Sequence, residues 1–390
     1  MQSTQLISMM THMANFRTQL LAAVLALCAG SVIDASGTEV TSPAPGLMST
    51  AIEHPEQITS LSVTGSINAA DIYFISASMP LLTSLDLSQA TIAGYSGKPL
   101  GPSNTGTHPE RTIPPFAFME SPVSEITLPA NTLTIGYGAF AGCNITSISL
   151  PEGATCIEAE GFSSSSLTDI SLPSSITQVG AGAFRQCAHL AHASIHAGLD
   201  QISDRMFAGC SSLTHVELPE TLHTIGDNAF ECSGLTACDL SGCSNLTHVG
   251  SWAFASSPAL TTVILPTGVT SIGHGAFMGD KSLTSITLSD NLGKIPALML
   301  YGASSLRELS IPAATDSIAT LAMARMNALT SVDARTTRTV PALEPDVWNS
   351  TATEKVRLYV PERLLNNYLT ADQWKDFDIE GVSGIGTITA

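Results

Sequence analysis

The chain has 390 residues and a formal net charge of −18, with 15 Lys and Arg against 33 Asp and Glu. This acidic surplus disfavours nucleic acids and anionic membrane surfaces as partners, because no basic stripe is present to displace the counterions of phosphate groups. The chain is 44% hydrophobic, yet it exceeds the roughly 250–300 residues at which a single core stops growing. The chain must therefore consist of several domains or contain an internal repeat.

Residues 1–36 predict a secretory signal peptide. Arg17 precedes an apolar run from Leu20 to Ala29, and small residues follow that run. The run is shorter than the ~20 residues that a membrane-spanning helix needs, so we do not expect an integral membrane protein. A lipid anchor on Cys28 is the less favoured alternative, because Leu27 stands where lipoprotein signals place a small residue. We expect a secreted or cell-surface protein.

Residues 37–92 are interpreted as an N-terminal capping unit. Asn68 to Ser78 has a short helical pattern with Ile72 and Ile75 on one face, and Leu82 to Leu87 is the expected first strand. An open-ended array needs such a unit, because its first turn would otherwise leave an apolar face uncovered.

Residues 93–112 predict a long exposed loop. Glycine and proline recur through it, at Gly94, Gly97, Pro99, Gly101, Pro102, Gly106 and Pro109. We interpret it as an insertion between the cap and the first full repeat, and a functional loop is the alternative.

An Ala-Phe dipeptide or a close variant recurs through residues 113–340. The phenylalanine, or the residue in its place, is Phe118, Phe140, Phe162, Phe184, Phe207, Phe230, Phe254, Phe277, Leu300 and Met323. Successive members are 22 to 24 residues apart, so one period is about 23 residues, as in leucine-rich repeats. A unit of this size cannot cover its own apolar face, so neighbouring units must stack, and the pattern predicts a solenoid.

Each unit contains a short strand followed by a second apolar run. Leu283 to Leu288 is the clearest strand, because Ile286 and Leu288 alternate with the outward Thr287. Prolines end six of these strands, at Pro129, Pro151, Pro173, Pro219, Pro266 and Pro312. The second run, as in Leu222 to Gly226, returns the chain to the next Ala-Phe turn.

Residues 341–390 are interpreted as the C-terminal capping unit and tail. Val356 to Val360 is the expected final strand, and Pro361 is suited to the first position of a helix. Three aromatic residues are expected to close the coil, namely Tyr368, Trp374 and Phe377.

The repeat pattern AFxxCxxLTxIxLPxxLTxIG resembles the bacterial BspA-type, or Treponema-type, leucine-rich repeat from about Ile113 to Val340. Leu61 to Ile92 and Leu358 to Phe377 are similar to the flanking units of Bacteroidetes members. The resemblance implies a curved, single-stack, right-handed solenoid with short parallel strands on its concave face. It also implies a surface or secreted protein that adheres to host proteins such as fibronectin and fibrinogen, or to other bacteria.

Seven cysteines remain beyond the leader. Cys143, Cys187 and Cys210 each occupy the third position after the repeat phenylalanine, so we interpret them as small buried hydrophobic residues. Because they are at least one whole repeat apart, they lack the close pairs of a zinc site, and we expect no metal and no cofactor. One disulfide among Cys232, Cys238 and Cys243 is an alternative that the sequence leaves open.

Charged residues recur at outward strand positions. The register places His192 and His215 on adjacent turns, which predicts a solvated histidine pair, with a weak metal or acid-sensing patch as the alternative. Glu217 and Asp239 likewise predict two solvated carboxylates and not an acid-base pair. We find no combination of nucleophile, base and orienting group, so we do not expect an enzyme.

The outward strand positions are mostly short hydroxyl side chains, and a stretch where other residues interrupt them is the predicted ligand-binding surface. Its residues are His192, His215, Glu217, Asp239, Thr262, Ile264, Ser285, Thr287 and Glu308, with Ile264 expected to be exposed. We predict an adhesin-like binder of host or bacterial surface proteins. A carbohydrate-binding surface or periplasmic component is the alternative, although the strand columns lack the aromatic residues that stack on sugars.

Overall fold

The computed structural model describes residues 37–196 and 198–383. The predicted signal peptide, with Cys28, and the last seven residues of the predicted tail lie outside these ranges. The chain divides into two compact units, one ending at Gly198 and the other beginning at Leu199. No helix among the described residues is long and apolar enough to cross a membrane.

The first unit is built from short strands around one α-helix, α1 (Ala69–Ser78), with two 3-10 turns at Met48–Thr50 and Pro55–Gln57. Its strands are β1 (Thr38–Thr41), β2 (Ser60–Ile67), β3 (Ser84–Ile92), β4 (Tyr95–Leu100), β5 (Thr105–His108), β6 (Thr112–Ile113), β7 (Glu125–Thr127), β8 (Thr134–Ile135), β9 (Cys156–Ile157), β10 (Asp169–Leu172), β11 (Gln178–Val179) and β12 (His192–Ile195).

The second unit continues the same repeat and ends with a short helix, α2 (Leu365–Thr370), and 3-10 turns at Thr353–Lys355, Glu362–Leu364 and Trp374–Asp376. Its strands are β13 (Gln201–Ile202), β14 (His215–Glu217), β15 (Thr224–Ile225), β16 (Ala237–Asp239), β17 (His248–Val249), β18 (Thr262–Ile264), β19 (Ser271–Ile272), β20 (Ser285–Thr287), β21 (Lys294–Ile295), β22 (Glu308–Ser310), β23 (Ser317–Ile318), β24 (Ser331–Asp333), β25 (Ala342–Leu343), β26 (Arg357–Pro361) and β27 (Asp378–Val382).

The repeats form a parallel β-solenoid. A full repeat contributes one longer strand and one very short strand, and each pairs with its counterpart in the next repeat, as Thr262 does with Ser285. Because the repeats are nearly equal in length, inward-facing residues of one turn stack on the inward-facing residues of the next.

Each turn of the solenoid has three sides. We call them the strand face, formed by the longer strands, the short-strand face, and the Phe side, formed by the Ala-Phe turn.

The Phe side supplies the centre of the core. Within each unit the repeat phenylalanine rings are fully buried and stack on one another with centroids 5.2–5.5 Å apart. The residues two before and two after each phenylalanine take positive φ, as Arg205 (56°) and Gly209 (74°) do around Phe207. Because residues with positive φ alternate with residues of ordinary φ, every second backbone N–H points toward the next turn. The N–H of Phe230, for example, donates to the carbonyl of Ala253 at 2.7 Å.

The N-terminal cap contains the predicted helix. Asn68 caps α1 by accepting a hydrogen bond from the N–H of Ala70, and the Asp71 carboxylate accepts from the N–H groups of Gly46, Met48 and Asn68. The expectation that Leu82 to Leu87 forms the first strand is wrong, because β1 and β2 precede it in the same parallel sheet. Neither carries the Ala-Phe signature by which the repeats were recognised.

The predicted loop at residues 93–112 is exposed along most of its length, but it contains an antiparallel hairpin of β4 and β5. The hairpin is anchored by His108, which is 4% exposed and whose ring lies 5.6 Å from the Tyr73 ring of α1. Burial lowers the pKa of His108, so its imidazole is neutral at physiological pH. The glycines and prolines that predicted a loop thus mark the turn and irregular register of a hairpin.

The C-terminal cap closes the core with aromatic residues. Tyr368 and Trp374 are fully buried and Phe377 is 7% exposed, which confirms their predicted role. The Trp374 indole N–H donates to the carbonyl of Pro341 at 2.9 Å. The predicted final strand is instead the penultimate one, because β27 pairs in parallel with β26.

Candidate binding surface

The strand face of the second unit presents two columns of outward side chains. In β16, β18 and β20 the first residues are in register with one another, and so are the third residues. The middle residues, Cys238, Val263 and Ile286, point into the core and are buried. This is the alternation expected of a strand with one covered face, and it leaves the flanking positions available to a partner.

Eight of the nine predicted site residues lie on this face. His215, Glu217, Asp239, Ser285, Thr287 and Glu308 are exposed, whereas Thr262 and Ile264 are half-buried. The expectation of an exposed Ile264 is therefore too strong, because this side chain lies in register between Asp239 and Thr287 on the neighbouring strands.

His192, the ninth predicted residue, belongs to the first unit. It begins β12, is exposed, and is in register with Asp169 of β10. Since His215 belongs to the second unit, the predicted pairing of the two histidines stays a prediction.

A hollow of about 410 Å³ opens at β14 and β16. Its lining includes His215 and Asp239 from the strand face, and Glu220, Gly242 and Cys243 from the turns that follow the strands. Sequence analysis did not place the last three in the binding surface, because that surface was predicted from the strand columns only. The sequence did contain a signal for this hollow. The turn after β16 has Ser241 and Gly242 at positions where most other turns have proline followed by a larger residue.

Asp239 supplies a fixed negative charge at the edge of this hollow. Its carboxylate accepts a hydrogen bond from the Ser241 N–H at 2.9 Å. Hydrogen bonds from the Ser241 side chain and backbone lower the pKa of Asp239, so the group is ionised at physiological pH. With Glu220 nearby and His215 as a hydrogen-bonding group, the hollow suits a polar or cationic group of a partner.

The two cysteines that line the hollow, Cys238 and Cys243, have raised pKa values, which favour the protonated thiol. Burial raises the pKa of Cys238 to about 12, and burial together with Glu220 and Asp239 raises that of Cys243. Cys232, Cys238 and Cys243 are all free, so the disulfide that the sequence left open is not formed. Cys143, Cys187 and Cys210 are buried, which confirms their interpretation as core residues.

Ion pairs at the C-terminal end of the strand face were not predicted. Arg335 makes a bidentate contact with Asp333, with N–O distances of 3.0 and 2.8 Å. Burial raises the pKa of Asp333, but the hydrogen bonds and charge of Arg335 outweigh this and lower it overall. Arg357 pairs with Asp378 and Glu380 on the neighbouring strand. The Arg357 pairs depend on the register of β27, which the repeat pattern does not reach.

No arrangement of metal ligands occurs in the described ranges. No group of three or more His, Cys, Asp or Glu side chains there is placed to hold a metal ion. What the strand face offers is hydrogen-bonding groups and charges on a shallow surface.

Solved structures that are similar to this chain include bacterial proteins from several genera. A leucine-rich repeat protein from Bacteroides ovatus is 18% identical over 88% of this chain and 92% of its own, with a TM-score of 0.50. The pneumococcal vaccine antigen PcpA is 19% identical over 90% of both chains (TM-score 0.43), and a T. pallidum leucine-rich repeat protein is 25% identical over 45% of this chain and 82% of its own (TM-score 0.39). The likeness to the Bacteroides ovatus protein shows the solenoid fold.

No curated protein matches the chain. The sequence pattern described as a BspA type leucine rich repeat region matches in six copies, over residues 111–236 and 223–342. Together these ranges cover more than half of the chain and contain most of the strand face. The chain therefore belongs to the BspA type leucine-rich repeat family.

Proposed function

We propose that this chain is an exported, non-catalytic interaction protein that binds host or bacterial surface proteins through the strand face of its second unit. The observation that carries the proposal is the in-register pair of outward columns on β16, β18 and β20, together with the hollow at His215 and Asp239. A stacked repeat extends such a surface over many turns without a single deep pocket, as is typical of solenoid binding surfaces.

The composition of the strand face favours a broad contact of modest affinity. Its side chains are mainly Ser, Thr, Asp and Glu, and the Trp, Tyr and Arg residues that dominate tight interfaces are sparse between His215 and Ser310. Tethering of several copies on one surface would raise the overall affinity by avidity. This matches an adhesive role better than a role in tight, soluble complexes.

The strand-face proposal is tested by titrating purified protein, residues 37–390, against immobilised fibronectin and fibrinogen. We expect the double variant Glu217→Ala, Asp239→Ala to bind at least ten-fold more weakly than the native chain. The matched control is Asp290→Ala, Glu354→Ala, which removes the same charge from exposed positions of the second unit outside the strand face.

Three results would contradict the proposal. One is equal weakening by both double variants, which would point to net charge and not to a site. Another is native binding by the strand-face variant. The third is binding of the native chain to a glycan panel but to neither fibronectin nor fibrinogen, which would favour the carbohydrate-binding alternative.

Export is tested separately. When the full chain is expressed in a Bacteroides host, we expect the protein outside the cytoplasm, with an N-terminus beyond the apolar run from Leu20 to Ala29. An unprocessed chain in the cytoplasmic fraction would contradict the predicted signal peptide.

A further inference from the structure

The Phe side of the second unit carries a patch of large side chains that the repeat does not require. Most turns place small or polar residues at these outward positions. Around Phe254 and on to the turn of Met323 the positions are instead taken by six residues that are half-buried or exposed, which we call the Phe-side patch: Trp252, Met278, Leu298, Tyr301, Leu321 and Arg325.

The residues of the patch lie on four consecutive turns of the solenoid, those of Phe254, Phe277, Leu300 and Met323. The backbone N–H of Trp252 donates to the next turn at His274, that of Gly275 to Ala297, and that of Leu298 to Thr320. The ring centroids of neighbouring turns are 5.4 Å apart at Phe254 and Phe277, and the patch extends over three such steps. Since an extended chain advances about 3.3 Å per residue, the patch is long enough to contact several residues of a bound segment.

Trp252 is held in place before any partner binds. Gly275 on the next turn has φ of 61°, and a Cβ atom there would lie 3.0 Å from Cε3 and Cζ3 of the Trp252 ring. The indole therefore lies against the glycine backbone, with the His274 ring 5.2 Å away on the same turn as Gly275. An aromatic side chain ordered in this way loses little conformational entropy on binding.

Arg325 adds a positive charge at the other end of the patch. Its guanidinium lies 5.3 Å from the centre of the Tyr301 ring. None of the ion pairs formed by the described residues involves Arg325. In a chain of net charge −18, an arginine stacked on tyrosine and not paired with a carboxylate is available to an anionic group of a partner.

We propose that the Phe-side patch is a second binding surface, which docks an extended protein segment carrying an apolar side chain and a carboxylate about five residues apart. Trp252 and its aliphatic neighbours would cover the apolar side chain, and Arg325 would pair with the carboxylate. Trp, Tyr, Met and Arg are the residue types enriched in protein interfaces. The aliphatic neighbours Met278, Leu298 and Leu321 offer no hydrogen bonds to sugar hydroxyls, so a peptide fits this patch better than a glycan.

The test uses a phage-displayed library of dodecapeptides selected on native protein, residues 37–390. Enriched peptides are synthesised and titrated against three variants. Trp252→Ala removes the aromatic anchor, Arg325→Gln removes the charge, and Arg205→Gln is the matched control. Arg205 is exposed on the Phe side of the same unit, outside the patch. Circular dichroism and thermal unfolding establish that each variant is folded.

We expect selected peptides that combine an acidic residue with an aromatic or aliphatic one about five residues away. Their affinity should fall at least ten-fold with Trp252→Ala and at least three-fold with Arg325→Gln, and remain unchanged with Arg205→Gln. The peptides should also bind Glu217→Ala, Asp239→Ala normally, which separates this surface from the strand face.

Four outcomes would overturn the proposal. They are no enrichment of any sequence, equal binding to all the Phe-side variants, glycan binding that depends on Trp252, and self-association in analytical ultracentrifugation that Trp252→Ala abolishes. The last two would assign the patch to a sugar or to a second copy of the chain.

Discussion

Asp280 is a buried carboxyl group at the position where most other turns have cysteine or serine. Its side chain is fully buried, and one oxygen accepts a hydrogen bond from the Ser257 N–H at 2.8 Å. The other oxygen has no hydrogen-bond partner among the described residues. Burial raises the pKa of Asp280 to about 8, so the folded protein keeps this carboxyl protonated at neutral pH.

Asp280 therefore makes stability depend on pH. An unfolded carboxyl loses its proton near pH 4, whereas the folded one retains it to about pH 8. Between these values the folded state binds the extra proton, so stability falls as pH rises, by up to about 1.4 kcal/mol per unit. We expect Asp280→Asn to flatten this slope and to be more stable than the native chain at pH 8, by urea unfolding at pH 5 and pH 8.

The control for this prediction is Asp290→Asn, because Asp290 is exposed in the same repeat region. It should leave the slope unchanged. A native slope in Asp280→Asn would mean that the buried carboxyl does not retain its proton, for instance because water reaches its second oxygen.

The stacked phenylalanines are the element that makes each turn fit the next. Their rings are nearly parallel, with interplanar angles of 4–13° within the units. Leu300 and Met323 continue the column and are equally buried. The position thus requires apolar volume, and aromatic stacking adds a smaller contribution.

Two substitutions of Phe254 separate volume from stacking. Phe254→Ala should lower the free energy of unfolding by about 3–5 kcal/mol, because a cavity opens between two rings. Phe254→Leu should cost roughly 1–2 kcal/mol, since leucine already fills this position at Leu300. Chemical denaturation with circular dichroism measures both. Equal losses would contradict this account and assign most of the energy to ring stacking.

At the scale of the whole molecule, each turn contacts mainly its neighbours, so the ends of the array need different chemistry from its middle. Trp374 and Tyr368 cover the last turn, and Trp348 extends the phenylalanine column to them, with its ring 5.7 Å from that of Trp374. A solenoid without such a cap exposes an apolar cross-section and an open sheet edge.

Truncation after Pro361 should therefore be far more harmful than loss of a complete repeat. We expect the truncated chain to aggregate and to bind a hydrophobic dye, as seen by size-exclusion chromatography and fluorescence. Deletion of residues 256–278, which removes one whole repeat and preserves the register, should leave a monodisperse, less stable protein. A soluble, dye-free truncation would show that β27 and α2 are dispensable.

The repeat region was predictable because its information is local and recurs. An apolar residue at every second position in a strand, and a phenylalanine once in each repeat, specify the same turn many times over. The parts that sequence analysis missed occur once. The β4–β5 hairpin depends on His108 reaching Tyr73, and β27 depends on pairing with β26, and no repetition signals either contact.

The same distinction between repeated and unique features applies to the candidate surfaces. The columns of the strand face follow from period and alternation, so the sequence alone was enough to place Glu217, Asp239 and Thr287 on one side of the coil. Tertiary structure alone decided that Ile264 is half-covered, that one oxygen of Asp280 accepts from Ser257, and that Arg325 stacks on Tyr301 of a neighbouring turn. The physical reason is that a side chain's environment is set by its neighbours one turn away, and those neighbours differ from repeat to repeat even where the backbone does not.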